Sequence, residues 1–306
     1  MPPISPRATV IDTDPGIDDA VAILFALNSP EFDIHCITTV AGNIGITTTT
    51  RNAGRILALA ERPEIPVIAG AKEPLSRKGF DTADIHGNDG LGGVVFPEPA
   101  APIAGDDAVG WLARLLDETK PGMLDILALG PLTNIARLVM DHPSSTRRIG
   151  RIVAMGGAVR EPGNVGPRAE FNIAADPEAA AVVFAAGLPL TLIPLDVTRK
   201  VRATRGYITA MRKAGRPAAI ASADLIDAYF HTTAGGESRP LHDPCVMLYA
   251  LRPDLFGCEQ LGFSVDCGAG ADAGALTIDP GASRISVAKT VEGSGALTLL
   301  AERLAD

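Results

Sequence analysis

Short apolar runs alternate with stretches of helical periodicity over the first 200 residues. The predicted strands lie at Ala8 to Asp12, Ile34 to Val40, which is rich in β-branched residues, Pro66 to Ala69, Leu124 to Leu129, Ile149 to Met155 and Leu190 to Asp196. The predicted helices are Asp18 to Leu27, Thr48 to Ala60, Asp107 to Asp117, Asn134 to Met140 and Pro177 to Ala186. This alternation is typical of βαβ crossovers and predicts an α/β fold, with a mostly parallel central sheet flanked by helices.

The remaining segments differ from this pattern. Residues 203 to 251 have a helical period, residues 259 to 289 alternate around the loop Gly268 to Gly274 and so predict a hairpin, and Ala296 to Leu304 predicts a last helix. Gly70 to Gly105 is rich in Gly, Pro and Asp, and such a long irregular segment is usually functional or mobile. Because no linker separates these parts, we expect residues 1–306 to form a single large domain with a helical C-terminal part.

Charge and cysteine content narrow the class of function. The chain has 27 Lys and Arg against 36 Asp and Glu, a net charge of −9, which disfavours binding to nucleic acid or to an anionic membrane. Met1 to Val10 shows no apolar signal core, and no apolar run reaches the roughly 18 residues of a membrane span. The four cysteines form no CxxC pair. We therefore expect a cytoplasmic protein, with Cys36 and Cys245 packed as small apolar residues.

The turn after the first predicted strand holds four carboxylates, those of Asp12, Asp14, Asp18 and Asp19. Ligands of open parallel sheets bind beyond the carboxyl ends of the strands, so chemistry is expected in such turns. Helix capping accounts for one or two of these side chains. Four clustered carboxylates repel one another unless a cation offsets their charge, and oxygen ligands suit Ca²⁺ or Mg²⁺. The turn therefore indicates either a metal site or a helix cap with solvated carboxylates.

Further short motifs follow in a fixed order. They are Val40-Ala41-Gly42-Asn43, Ile85-His86-Gly87, Leu129-Gly130-Pro131-Leu132-Thr133-Asn134, Met155-Gly156-Gly157, Gly163-Asn164, Ala169-Glu170-Phe171-Asn172-Ile173 and His242-Asp243-Pro244. Together with the block 12–19, this series resembles the inosine/uridine-preferring nucleoside hydrolases, a family of N-ribosyl hydrolases. The resemblance covers about residues 8 to 250 and implies the Rossmann-like fold of that family.

The resemblance implies a Ca²⁺ site. Its ligands on this chain would be Asp14, Asp19, Asp243 and the backbone carbonyl of Leu129. Two ribose hydroxyls and a water would complete a shell of seven or eight oxygens, which suits Ca²⁺ better than Mg²⁺. Asp14 matches the family's general base, which takes a proton from that water.

The resemblance also implies which groups assist departure of the base. His242 matches the family's residue for leaving-group protonation, a task that suits a near-neutral pKa. His86 matches a second active-site histidine. His35 and His142 have no such match, and we expect structural roles for both.

The residues that match the ribose site are mostly polar. They are Asp18, Asn43, Asn164, Glu170 and Asn172, with Met155 lining the sugar. Taken without the resemblance, Asn43 and Asn164 are ordinary turn residues and Met155 is core. Glu170 and Asn172 alternate around Phe171, and we expect an extended segment in which both face the ligand.

Base recognition is assigned less directly. Tyr229 and His231 lie in the region Arg205 to Arg239, which in the family often closes over the nucleobase, and aromatic side chains there can stack on it. An amphipathic helix that packs Tyr229 inward is the alternative. No motif in this region carries over, so the sequence leaves open purine or pyrimidine as the preferred base.

The resemblance therefore implies a Ca²⁺-dependent nucleoside N-ribohydrolase that converts a ribonucleoside and water to ribose and free base, in the form of a homotetramer or homodimer. A catalytically silent nucleoside- or ribose-binding homologue is the alternative, although Asp14, Asp19, His242 and Asp243 are all retained. A two-metal phosphoesterase is a weaker alternative. We expect the site to contain almost no Arg or Lys, and hence to repel phosphate.

Overall fold

A long, mostly parallel sheet forms the centre of the structure, a computed structural model that describes residues 6–232 and 236–306. The strands are β1 (Arg7–Thr13), β2 (Phe32–Thr39), β3 (Val67–Ala69), β4 (Leu124–Ala128), β5 (Ile149–Met155), β6 (Leu190–Ile193), β7 (Arg202–Thr204), β8 (Ser238–Pro240), β9 (Phe256–Leu261), β10 (Phe263–Val265), β11 (Leu276–Ile278) and β12 (Ile285–Val291). The central sheet has the order β3-β2-β1-β4-β5-β6-β12-β9, and only β9 pairs antiparallel.

Helices cover both faces of this sheet. They are α1 (Ile17–Leu27), α2 (Ile46–Leu59), α3 (Ala83–His86), α4 (Ala108–Glu118), α5 (Thr133–Asp141), α6 (Pro143–Thr146), α7 (Phe171–Ala175), α8 (Pro177–Ala185), α9 (Leu195–Thr198), α10 (Arg205–Ala214), α11 (Pro217–Thr232), α12 (Pro244–Leu251) and α13 (Gly293–Ala305). Side chains alternate between the faces of a strand. Val10 and Ile11, adjacent on β1, accordingly pack into two different apolar layers. The predicted parallel α/β architecture is confirmed.

Several local predictions need correction. The strand expected to reach Asp196 ends at Ile193, because Pro194 precedes the short helix α9 that contains Asp196. The helical stretch expected over residues 203 to 251 is interrupted by β7 and β8, which pair with each other. The predicted hairpin around Gly268 to Gly274 is present and consists of β10 and β11. The flanking strands β9 and β12 are not part of this hairpin and pair with each other in the central sheet.

Other sequence predictions concern burial and span length. Cys36 and Cys245 are fully buried, as expected. In the described part of the chain, no helix has the length and apolar character needed to cross a membrane. The first half of the Met1 to Val10 segment, and residues 233–235 of the region predicted to close over the base, lie outside the described residues.

Candidate active site

A cavity of about 410 Å³ opens beyond the carboxyl ends of β4 and β5, beside the first turn of α1. Most of the residues predicted from the sequence line it, namely Asp18, Asn43, His86, Leu129, Met155, Asn164, Glu170, Asn172, Tyr229, His242 and Asp243. Asp14 and Asp19 lie beneath this wall and are fully buried. The fold therefore brings the acidic turn and the distant His242-Asp243 pair together.

In the described structure, only one of the two carboxylate oxygens of Asp14 has a hydrogen-bond partner. The backbone N–H of Asn43 donates to its Oδ2 at 2.6 Å, whereas Oδ1 is buried without a hydrogen-bond partner in the described structure. Gly42 and Gly130 flank the group so closely that a Cβ at either position would overlap a carboxylate oxygen. These two glycines make room for a buried acid at the end of β1.

Asp19 serves as a helix cap as well as a member of the acidic cluster. It accepts hydrogen bonds from the backbone N–H of Gly16, the hydroxyl of Thr13 and the side-chain amide of Asn43, at 3.0, 2.6 and 2.9 Å. In the contact with Gly16, the side chain at the third helical position accepts from the backbone N–H of the N-cap residue of α1. The capping explanation therefore holds for Asp19 and leaves Asp14 and Asp18 unexplained.

Asp12 is separate from the cluster. Its Oδ1 accepts from the hydroxyl of Thr38 and the amide of Asn134, both buried side chains away from the cavity. Burial raises its pKa to about 6. The four carboxylates of the turn thus divide into one structural acid and three that face the site.

Negative charge accumulates at the floor of the cavity. Burial and the charge of Asp19 raise the pKa of Asp14, and burial with the charges of Asp19, Asp18 and Asp14 raises that of Asp243. Burial raises the pKa of Asp18 to about 7. Such a cluster is stabilised by a cation.

The donor set fits a hard divalent cation. Asp14 and Asp18 each have one buried carboxylate oxygen without a hydrogen-bond partner among the described residues. Within residues 6–232 and 236–306, however, no three His, Cys, Asp or Glu side chains form a ready-made metal site. Asp14, Asp19 and Asp243 would therefore have to draw closer around an ion and use a backbone oxygen as well.

The carbonyl of Leu129 points out of the sheet at the end of β4. It accepts a hydrogen bond of 2.6 Å from Nδ2 of Asn172, which also reaches the Met155 carbonyl at 3.2 Å. Since a carbonyl oxygen has two lone pairs, Leu129 retains one for a ligand. Asn172 thus fixes the ends of two neighbouring strands.

The sequence alternation predicted an extended segment for Glu170 and Asn172, and the structure does not show one. Glu170 is the N-cap of α7, and its carboxylate accepts from the backbone N–H groups of Asn172, Ile173 and Gly157. The Asn164 side chain accepts from the N–H of Phe171. Capping the exposed N–H groups of a helix outweighs the two-residue alternation here.

The side chain of Asn43 makes several hydrogen bonds within the protein. Its amide donates to the backbone carbonyl of Asp14 and to the carboxylate of Asp19. Its Oδ1 is 3.3 Å from the hydroxyl of Thr82. Asn43 therefore holds the acidic turn in place while it lines the cavity.

The side chain of His86 caps the N-terminus of α1. Its Nδ1 accepts a 3.0 Å hydrogen bond from the backbone N–H of Ile17. Burial lowers its pKa. A neutral imidazole that accepts at Nδ1 carries its proton on Nε2, so His86 presents a donor.

His242 is also neutral in this structure. Burial, followed by the charges of Arg199, Arg202 and His86, lowers its pKa to about 3. This pKa is well below the near-neutral value expected from the sequence. Its backbone N–H donates to Asp18 at 3.0 Å, and its Nδ1 is 2.8 Å from the hydroxyl of Thr198.

Three arginines line the same cavity and were missed in the sequence. Arg199 donates to the carbonyls of Pro162 and Gly163, and Arg202 donates to Ser238, whereas the guanidinium of Arg239 lies 4.6 Å from the centre of the Phe230 ring. The expectation of a site almost free of Arg and Lys is wrong, and the argument that it repels phosphate loses its basis. The run Thr198 to Arg202, which begins at the last residue of α9, was the sequence signal that could have indicated arginines at the cavity.

The two residues predicted to contact the base differ in position. Tyr229 lies on α11, lines the cavity and is largely buried, and burial with the charges of Asp18 and Asp243 raises the pKa of its hydroxyl. His231, two residues further along α11, is exposed and does not line the cavity. Residues two apart on a helix point in different directions, so in this structure His231 points away from the cavity that Tyr229 lines.

Comparisons with known proteins agree with this geometry. The family model described as inosine-uridine preferring nucleoside hydrolase matches residues 9–297. A pyrimidine-specific ribonucleoside hydrolase of Photobacterium profundum is 42% identical over 98% of this chain and 99% of that protein. A plant nucleoside hydrolase superposes with a TM-score of 0.92 at 32% identity over 98% of this chain and 99% of that one.

A second solved structure is that of an enzyme named for purines rather than pyrimidines. It is a purine-preferring ribonucleoside hydrolase from Gardnerella vaginalis, with a TM-score of 0.91 and 30% identity over 98% of both chains. The family match spans nearly the whole chain. This protein belongs to the family of inosine-uridine preferring nucleoside hydrolases, enzymes that hydrolyse the N-glycosidic bond of ribonucleosides.

Proposed function

We propose that this enzyme is a Ca²⁺-dependent ribonucleoside hydrolase that releases ribose and the free base. One observation carries the proposal. Asp14, Asp18, Asp19 and Asp243 converge at one cavity floor, and two of their buried oxygens lack any hydrogen-bond partner in the described structure. A site of this kind favours a cation and a ligand rich in hydroxyl groups.

Four groups of the chain would hold the ion. They are the carboxylates of Asp14, Asp19 and Asp243 and the carbonyl of Leu129, which Asn172 already orients. When bound, Ca²⁺ supplies positive charge that holds the sugar hydroxyls and makes water easier to deprotonate. The cavity also offers more than four oxygens, as Ca²⁺ prefers.

Asp14 is the proposed base. Its Oδ2 is fixed by the N–H of Asn43, so the partner-free Oδ1 is available to accept a proton from the attacking water. Breaking the N-glycosidic bond develops positive charge on the ribose ring, and the surrounding carboxylates stabilise that charge. Asp18, Asn164, Glu170 and Asn172 are the proposed ribose contacts, with Met155 as the apolar wall that excludes water.

The leaving base would meet His86 and His242. Both line the cavity, and both are neutral in this structure. A neutral imidazole can stabilise the departing base by donating a hydrogen bond. Arg199, Arg202 and Arg239 line the same cavity and are here called the arginine wall. Their positive potential favours a base that leaves with negative charge.

Pyrimidine ribonucleosides are the proposed better substrates. The 42% identical relative is named as pyrimidine-specific, whereas the purine-preferring enzyme of known structure is 30% identical. In this proposal residues 1–306 act as a single domain in a cytoplasmic homotetramer or homodimer, to be measured by light scattering.

A panel assay tests the proposal. Purified protein is incubated with uridine, cytidine, inosine, adenosine and guanosine, and reducing sugar is measured before and after chelation of divalent metal. Ribose release that ends on chelation and returns with Ca²⁺ is expected, fastest with uridine and cytidine. Tight nucleoside binding without release from any of the five would instead support the catalytically silent homologue.

A further inference from the structure

Thr198 contacts His242 from behind the cavity. It is the last residue of α9 and is fully buried, and its hydroxyl lies 2.8 Å from Nδ1 of His242. The described structure shows no other hydrogen-bond partner for this hydroxyl. The contact spans 44 positions of sequence, so the fold rather than local geometry creates it.

The surroundings determine the direction of this hydrogen bond. A buried hydroxyl loses free energy if its hydrogen finds no acceptor. Because Nδ1 is the acceptor within reach, Thr198 donates and the ring nitrogen accepts. A neutral imidazole that accepts at Nδ1 carries its proton on Nε2. The ring then offers an N–H donor to the cavity.

His86 shows the same arrangement with a different partner. The backbone N–H of Ile17 can only donate, so Nδ1 of His86 accepts, and the proton again resides on Nε2. Both rings line the same cavity. The cavity thus presents two neutral imidazoles with the same tautomer, each fixed from its Nδ1 side.

We propose that Thr198 is a positioning residue that holds His242 as the Nε2–H tautomer, so that this ring donates a hydrogen bond to the departing base. The proposal rests on the proposed function for its kinetic consequence, since only a nucleoside supplies that base. It adds a residue that lies outside the cavity lining. A structural hydroxyl would affect all substrates alike, whereas a tautomer-setting hydroxyl matters only where the leaving group needs help.

The kinetic test compares Thr198→Val with Thr198→Ser. Valine keeps the shape of threonine but cannot donate, and serine keeps the hydroxyl. With uridine, Thr198→Val is expected to lower kcat about 10- to 100-fold, the usual effect of losing a partner that orients an active-site group. With p-nitrophenyl riboside, whose leaving group needs little protonation, kcat should stay nearly unchanged. Thr198→Ser should restore uridine turnover.

A matched control isolates the effect of losing a buried hydroxyl. Thr146 is buried, and its hydroxyl donates only to the backbone carbonyls of Leu138 and His142. Thr146→Val removes the same atoms without touching the cavity and should leave the ratio of the two substrates unchanged. Equal losses of kcat on both substrates in Thr198→Val, or no loss on uridine, would overturn the proposal.

A direct measurement separates this proposal from the proposed function. Long-range ¹H–¹⁵N NMR on the full-length wild-type protein distinguishes a protonated from an unprotonated ring nitrogen, with the His242 signals assigned by their loss in His242→Ala. The expected result is protonation at Nε2 only. Protonation at Nδ1 would refute the role of Thr198 even if every nucleoside is hydrolysed. Absence of ribose release from all nucleosides would refute the proposed function but leave the tautomer measurable.

Discussion

The backbone amide of Asn43 donates to Oδ2 of Asp14 at 2.6 Å, and this contact orients the acid that the sequence singled out. The other oxygen, Oδ1, is buried and has no hydrogen-bond partner in the described structure. An unsatisfied buried carboxylate oxygen is costly. The proposed Ca²⁺ or the attacking water would complete its bonding.

Replacing this acid should abolish catalysis while leaving the fold. Asp14→Asn keeps the shape and the acceptor for Asn43 but removes the proposed base and one proposed metal ligand. We expect kcat to fall by about 10³-fold or more, measured as reducing sugar released from uridine. Asp12→Asn is the matched control, because Asp12 lies two residues earlier, within β1, and faces Thr38 and Asn134. Near-normal turnover in Asp14→Asn would refute its role as base.

A single methyl group at Gly130 should disrupt the same acid. A Cβ there would overlap Oδ1 of Asp14, so the carboxylate or the loop after β4 must shift. We expect Gly130→Ala to lose most of its kcat and to bind Ca²⁺ more weakly by calorimetry. In Gly105→Ala, the nearest described atom to the new Cβ is a methyl group 3.9 Å away, and activity should be kept. Full activity in Gly130→Ala would mean that Asp14 tolerates displacement.

Metal removal should affect both activity and stability. Four acidic side chains at one floor repel each other when no cation is bound, so chelation should stop ribose release and lower Tm. Ca²⁺ at 100 times its Kd would raise the free energy of unfolding by about 2.7 kcal/mol. Titration of the chelated protein with Ca²⁺ or Mg²⁺, followed by thermal unfolding and ribose assay, checks this. Recovery with Mg²⁺ alone would contradict the assignment of Ca²⁺.

The two histidines should be distinguishable by leaving group. His242→Ala is expected to reduce kcat on uridine by about 10²- to 10⁴-fold and to affect p-nitrophenyl riboside much less. His86→Ala should reduce kcat on both substrates, because His86 also accepts the N–H of Ile17 at the start of α1. Comparison of kcat for the two substrates in each variant gives the result. Equal losses on both substrates in His242→Ala would remove its role in leaving-group activation.

The central sheet was predictable because its strands are buried on both faces. β1, β2, β4 and β5 each contain a short, mostly apolar run, which is typical of buried parallel strands. The errors lie where backbone hydrogen bonding outweighs side-chain pattern. Glu170 and Asn172 alternate like strand residues, yet Glu170 caps α7. The strand expected to end at Asp196 stops earlier, because proline cannot donate in a sheet ladder.

The sequence alone determined the parallel α/β class, the acidic turn at the end of β1 and the set of motifs that marks the family. It could do so because apolar periodicity and motif order are local properties of the chain. The tertiary structure decided which groups share the cavity. Only folding brings Thr198 to His242 and the arginines to the same wall, and shows that His231 points away. These contacts join segments tens to hundreds of residues apart, and burial there sets the charge and hydrogen bonding that no single segment encodes.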